Sequence, residues 1–265
     1  MTTTAGPRTG SLEAVLRARR SAGAKLLVPY VMAGLTDNWT DVVHAVVAAG
    51  ADAVEIGIPF SDPMMDGPVI QEASVAALAR GTTPAGVLAE LTAARVGVPL
   101  AVMTYYNLVF RAGHRRMARS LAEAGVAGAI LPDLSVEELD PWAVEADEAG
   151  IETVLLVAPA TGEERAATIC ARARGFVYAV ARMGVTGERT SVDDQTTAVV
   201  DRVRRHTDLP VCVGVGVSTP EQAAHVCQAA DGVVVGSALV RRLLAGAGPE
   251  GAAEFVGQLR RAIDA

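Results

Sequence analysis

Residues 38–50, NWTDVVHAVVAAG, followed closely by residues 53–58, AVEIGI, set the reading of the whole chain. In the first segment the apolar residues Trp39, Val42, Val43, Val46 and Val47 recur with a period near 3.6, which predicts an amphipathic helix. Asp37 or Asn38 suits its start, and Gly50 suits the left-handed position just past its end. The second segment is a short β-branched run of the kind found in strands buried on both faces. The same order of helix, glycine and strand returns at Gly125 before residues 127–131, at Gly150 before residues 152–157 and at Gly175 before residues 176–181.

Across the rest of the chain, strand-like runs begin near Lys25, Ala53, Leu100, Ala127, Glu152, Phe176, Val211 and Gly232. Eight such units in 265 residues match the size of a (β/α)8 TIM barrel, typically about 250 residues. No Pro- or Ser-rich linker divides them, so residues 1–265 read as a single TIM-barrel domain with residues 1–10 flexible. The alternative architecture, a doubly wound open sheet, would carry GxGxxG after its first strand, and none is present there. Residues 12–20 predict an extra N-terminal helix placed to plug the bottom of the barrel, and residues 250–263 predict a C-terminal helix.

Composition supports a large aliphatic core: 51% of residues are hydrophobic, 20% charged and only 4% aromatic. The net charge of −7 argues against nucleic acid and acidic membranes as partners, because neither is attracted to an acidic surface. The longest uncharged stretch, residues 96–110, is broken by Gly97 and Pro99 and falls short of the roughly 20 residues of a membrane span; it reads as a loop running into a buried strand. Residues 1–10 hold no apolar signal core, and Cys170, Cys212 and Cys227 lack CxxC spacing. Free thiols in a cytoplasmic protein are expected. His44, His114, His206 and His225 form no close pair, so no metal site is expected.

In such a barrel the reactive groups sit at the C-terminal ends of the strands. Glu55 lies between Val54 and Ile56, and its same-face neighbours Ala53 and Gly57 are small, so it points into the barrel with space around it. A structural carboxylate held by a salt bridge or backbone donors would show the same pattern. The following loop, residues 59–68 (PFSDPMMDGP), carries Asp62 and Asp66 in contexts that also initiate turns. A buried Glu and a loop Asp around one mouth form an acid/base pair whose surroundings can push their pKa values apart.

Two glycine-rich segments end the seventh and eighth runs, residues 213–218 (VGVGVS) and residues 234–240 (VVGSALV), the latter opening a short helix. Glycine lets backbone N–H groups approach an anion, and a helix N-terminus adds the positive end of its dipole. At this place in a barrel the two predict a phosphate site. Residues 183–190 (MGVTGERT) predict a mobile loop that folds over it. The single lysine, Lys25, precedes the first strand, at the wrong end of a barrel for a Schiff base. Carboxylates must therefore drive any C–C cleavage.

Residues 54–63 (VEIGIPFSDP), continuing through Asp66-Gly67-Pro68 to Ile70-Gln71, closely resemble the signature of the tryptophan synthase alpha subunit family. The likeness covers nearly the whole chain. It runs through Val28-Pro29-Tyr30-Val31, Tyr105-Tyr106-Asn107, Leu131-Pro132-Asp133, Arg182 with residues 184–187 (GVTG), residues 214–218 and Gly236-Ser237-Ala238. It implies retro-aldol cleavage of indole-3-glycerol phosphate to indole and glyceraldehyde 3-phosphate in tryptophan biosynthesis. By motif position it makes Glu55 the general acid/base and Asp66 the stabiliser of positive charge at the indole N–H. Gly187, Gly216, Gly236 and Ser237 match the family's phosphate site, Tyr178 a tyrosine packed near Glu55, and Thr186 a loop residue that hydrogen-bonds Asp66 on closure.

The resemblance also implies that this chain needs no metal or cofactor. Pyridoxal phosphate is expected only on a partner beta subunit, which receives indole through a tunnel in an alpha2beta2 heterotetramer. Five positions depart from the common pattern: Leu35-Thr36 stand for Asp-Pro, Met65 for Ala, Ser135 for Pro, and Ala181 for a frequent Ser. Met65 and Ser135 fall near the face expected to dock the beta subunit. Two other functions fit the same motifs, a stand-alone lyase that releases free indole and a catalytically silent phosphate-binding relative. Retention of both Glu55 and Asp66 speaks against the second.

Overall fold

The computed structural model describes residues 10–180, 191–214 and 216–265. Eight parallel strands close into a barrel in sequential order. They are β1 (Leu26–Met32), β2 (Val54–Gly57), β3 (Leu100–Met103), β4 (Val126–Ile130), β5 (Glu152–Val157), β6 (Val177–Val180), β7 (Val211–Gly214) and β8 (Gly232–Val235). Each begins within one residue of the position read from the sequence, because runs of Val, Ile, Leu and Ala buried on both faces carry an unambiguous signal. The first helices are α1 (Ser11–Ser21), α2 (Trp39–Ala48), α3 (Pro68–Ala79), α4 (Pro84–Ala94), α5 (Tyr106–Ala112) and α6 (His114–Glu123). They are followed by α7 (Asp140–Ala149), α8 (Glu163–Arg172), α9 (Ser191–Arg204), α10 (Pro220–Ala229), α11 (Ser237–Leu244) and α12 (Gly248–Asp264).

The helix-to-strand glycines behave as their sequence context predicts. Gly50, Gly125, Gly150 and Gly175 all have positive φ, between 75° and 106°, a region that costs a side chain about 1 kcal/mol or more. One segment departs from the reading above. Residues 96–110 do run from a loop into a strand, but the strand ends at Met103 and Tyr106–Ala112 turns into α5. The cause is a cap from elsewhere: the Tyr106 N–H donates to both carboxylate oxygens of Asp133, at 2.9 and 3.1 Å, in the loop after β4. A side chain that satisfies a helix's free N–H from another loop leaves no local trace.

The plug at the barrel floor forms as expected. Leu12 and Leu16 of α1 are fully buried, each worth about 1.5–3 kcal/mol of transfer free energy. A Cβ at Gly128 of β4 or at Gly175 would lie 2.9 Å from Leu12 Cδ2, so those glycines make room for the plug. Glu152 of β5 reaches down and accepts the Glu13 N–H at 3.0 Å, fixing the start of α1. Around it the charges are paired: Asp52 accepts from Arg19 at 2.6 Å, Arg260 of α12 at 3.1 Å and the Leu27 N–H at 2.9 Å. Lys25 also lies at this end, its Nζ donating to the Ala230 carbonyl at 3.1 Å. Among the described residues no helix is long and apolar enough to cross a membrane.

Candidate active site

Glu55 sits in β2 in register with Tyr30 of β1 and Ala101 of β3, so all three side chains face the lumen. Ala53, Gly57 and Ala101 are small enough to leave it space. It is 1% exposed, and among the described residues its Oε2 has no hydrogen-bond partner. No Lys or Arg among them pairs with it, so the structural salt-bridge reading of this carboxylate does not hold. Burial without a donor penalises the charged form, and the nearby Asp66 charge adds to the effect; together they push the pKa up to about 8. At neutral pH the group holds a proton.

Two phenols flank the lumen above it. The Tyr30 hydroxyl occupies the space a Cβ at Gly57 would need, and the Tyr178 hydroxyl does the same at Gly214 of β7. Both phenols are pushed up, first by burial, then by carboxylates: Asp66 and Glu55 for Tyr30, Glu55 for Tyr178. They therefore remain donors. Tyr178 stands where its motif put it. Tyr30 as a neighbour of Glu55 went unread in the sequence, although Gly57, two residues after Glu55 on the same face, was a usable signal.

Asp66 lies half-buried in the loop between β2 and α3, facing the same mouth. Tyr105, just before α5, donates from Oη to Asp66 Oδ2 at 3.1 Å and accepts the Met65 N–H at 2.9 Å. Its ring stacks on Phe60 at 4.9 Å. Gln71 Nε2 donates to the Asp66 carbonyl at 2.9 Å, which ties the loop to the first turns of α3. The Asp66 pKa is raised by burial, an effect that the Tyr105 hydrogen bond opposes. Asp62, the other acid of the loop, is exposed; its carboxylate accepts from the neighbouring Ser61 hydroxyl at 2.6 Å and its carbonyl from the Met64 N–H at 2.9 Å. It is a turn residue, and the structure separates it from the pair.

At the adjoining ends of β7 and β8, Gly216 takes a φ of +101° and is exposed. Gly236 caps α11 with no side-chain hydrogen bond, and the first helical bonds run from Leu239 and Val240 to its carbonyl, at 2.9 and 3.0 Å. The N–H groups ahead of Leu239, including that of exposed Ser237, stand at the open positive end of the helix. Gly216 thus follows β7, and Gly236 and Ser237 follow β8, the strand paired beside it. Thr186 and Gly187, with the loop of residues 183–190, lie outside the described residues.

A cavity of about 900 Å³ is walled by Phe60, Met65, Tyr105, Leu131, Pro132 and Leu156, with Asp62, Asp133 and Arg165 also lining it. It shares Tyr105, the partner of Asp66, with the loop after β2. Met64 and Met65, which line it, are 89% and 62% exposed, and Phe110 of α5 is 63% exposed.

A closed eight-stranded parallel barrel whose C-terminal mouth holds a buried glutamate, with no hydrogen-bond partner for its Oε2 among the described residues, near a hydrogen-bonded loop aspartate defines a (β/α)8-barrel protein. Comparison with known proteins then narrows the class. The family model described as tryptophan synthase alpha chain matches residues 16–261. The alpha chain of Streptomyces avermitilis is 45% identical over 260 residues, covering 95% of this chain and 94% of that one. The alpha chain of Streptomyces coelicolor is 48% identical over 237 residues, covering 88% of each. A chain of the solved Mycobacterium tuberculosis tryptophan synthase superposes with a TM-score of 0.89 at 39% identity, over 97% of this chain and 99% of that one. The chain belongs to the tryptophan synthase alpha chain family.

Proposed function

We propose that this lyase of tryptophan biosynthesis cleaves indole-3-glycerol phosphate to indole and glyceraldehyde 3-phosphate, with Glu55 and Asp66 carrying the chemistry. The observation that carries the reading is the placement of the pair: a glutamate 1% exposed whose Oε2 has no hydrogen-bond partner among the described residues, near an aspartate held by a tyrosine. Glu55 donates its proton to indole C3, which turns the ring into an indoleninium electron sink. Asp66 accepts the hydrogen bond of the ring N–H as positive charge develops there. The Glu55 carboxylate then takes the proton of the side-chain hydroxyl next to C3. The C–C bond breaks, its electrons return to the ring, and aldehyde, indole and protonated Glu55 result. Neither lysine nor metal is needed in this scheme.

The phosphate is assigned to the backbone N–H groups at Gly187, Gly216, Gly236 and Ser237, with Thr186 assigned to hydrogen-bond Asp66 on closure. Since the whole chain carries −7, its overall field opposes an anionic substrate, and binding rests on these local dipoles. The cavity beside Tyr105 offers the apolar wall an indole ring requires. The exposed rim of Met64, Met65 and Phe110 supports docking of a beta subunit carrying pyridoxal phosphate, in an alpha2beta2 assembly in the cytoplasm. Incubating the purified chain with indole-3-glycerol phosphate and following indole release tests the chemistry, and repeating the assay with the beta subunit tests the partnership. Absence of indole in both arms overturns the reading; full activity alone with no stimulation overturns the assembly.

A further inference from the structure

We propose that the Tyr105 hydroxyl is the positioning group of the site, holding the Asp66 carboxylate in orientation with one oxygen left open toward the mouth. The proposal rests on the acid/base reading above and deepens it. Tyr105 is 6% exposed, and its hydroxyl has both hydrogen-bonding directions assigned. It accepts the Met65 N–H at 2.9 Å, so its own proton is directed to Asp66 Oδ2, at 3.1 Å. The order of donor and acceptor is set by the backbone, because an N–H cannot accept.

The ring is held as firmly as the hydroxyl. It stacks on Phe60 at 4.9 Å with planes 20° apart, so one side chain grips the loop at Phe60 and again at Met65 and Asp66. Among the described residues Asp66 Oδ1 receives no hydrogen bond, so a single carboxylate oxygen is presented for a ligand N–H. A hydrogen bond donated to a carboxylate favours its charged form, and here it opposes the burial that raises the Asp66 pKa. Asp66 in turn raises Glu55. One hydroxyl therefore works against the burial that raises Asp66.

The groups around the pair are Glu55 on β2, Tyr30 on β1, Tyr178 on β6 and Asp133 after β4, with Asp62 turned to solvent. None is a cation, so among the described residues no Lys or Arg could do what the phenol does.

Tyr105→Phe keeps the ring and removes the hydroxyl. In the ligand-free protein, carboxyl-labelled NMR titration should show the Asp66 midpoint moving up by about half a unit or more, with Glu55 moving down. In the indole-release assay the acid limb of kcat/KM should rise with it, and kcat should fall about tenfold with KM little changed. Replacing Tyr105 with 3-fluorotyrosine, a near isostere and stronger donor, should move the Asp66 midpoint the other way and serves if the Phe variant folds poorly. Unmoved titrations in both variants overturn the proposal, as does a change confined to KM. A wild-type protein that titrates as described yet releases no indole would instead overturn the functional reading alone.

Discussion

Two buried carboxylates three residues apart are treated in opposite ways. Asp52, 7% exposed at the barrel floor, accepts from two arginines and a backbone N–H. Glu55, 1% exposed toward the mouth, has an oxygen with no donor among the described residues. A buried charge that is paired and hydrogen-bonded stays charged and holds structure together; one left unpaired moves its pKa and becomes a proton carrier. The floor, with its hydrophobic plug and arginine pairs, serves stability. The mouth, with glycines and an acid unpaired among the described residues, is where the proposed chemistry lies.

If that contrast is right, substitutions at the two ends should fail in different ways. The largest effect is expected at Glu55→Gln, which should lower kcat for indole release by about 10²–10⁴ and leave substrate affinity and folding largely intact. Retention of substantial turnover would reassign the acid. Arg260→Ala at the floor should do the reverse, costing about 1.5–3 kcal/mol through loss of one charged hydrogen bond to Asp52, which keeps Arg19 and the Leu27 N–H, measured by urea unfolding, with kcat unchanged wherever the protein is folded.

The pH dependence of stability should come next in size. Glu55 is raised from 4.5 to about 8 and Glu152 to about 7, so the native state holds protons that the unfolded state releases between these values and the ordinary carboxyl range. Their contribution is fully present below the unfolded pKa and is lost as pH rises through the folded one, a decline of a few kcal/mol. Melting temperatures between about pH 5 and pH 8 should therefore fall less steeply in Glu55→Gln than in the wild type; parallel slopes would show that Glu55 does not carry the shift. The smallest effect is expected at Gly57→Ala, whose methyl group would displace the Tyr30 hydroxyl at a cost of about 1–3 kcal/mol. A crystal structure with Tyr30 unmoved would contradict the crowding.

Much of this was legible from residues alone. The strand positions followed from apolar runs ended by glycine, and the inward aim of Glu55 followed from the two-residue period and its small neighbours. The plug was readable in residues 12–20 as well. The Tyr105 contacts were not, because Tyr105 and Asp66 are separated by 39 residues and meet only when β2 and β3 pair. The Asp133 cap that turns Tyr106–Ala112 into a helix spans 27 residues in the same way. Asp52 and Arg260 are 208 residues apart, and nothing near either one announces the other.

Local regularities thus specified the architecture and the residue types at the mouth: periodicity and turn chemistry act over a few residues and are written along the chain. The protonation states needed the closed barrel. A carboxylate's pKa depends on how much water, how many donors and which charges surround it, and those neighbours come from other strands. The same glutamic acid would titrate normally in an open sheet edge, and it holds its proton here because eight strands exclude water from it and bring Asp66 to its side.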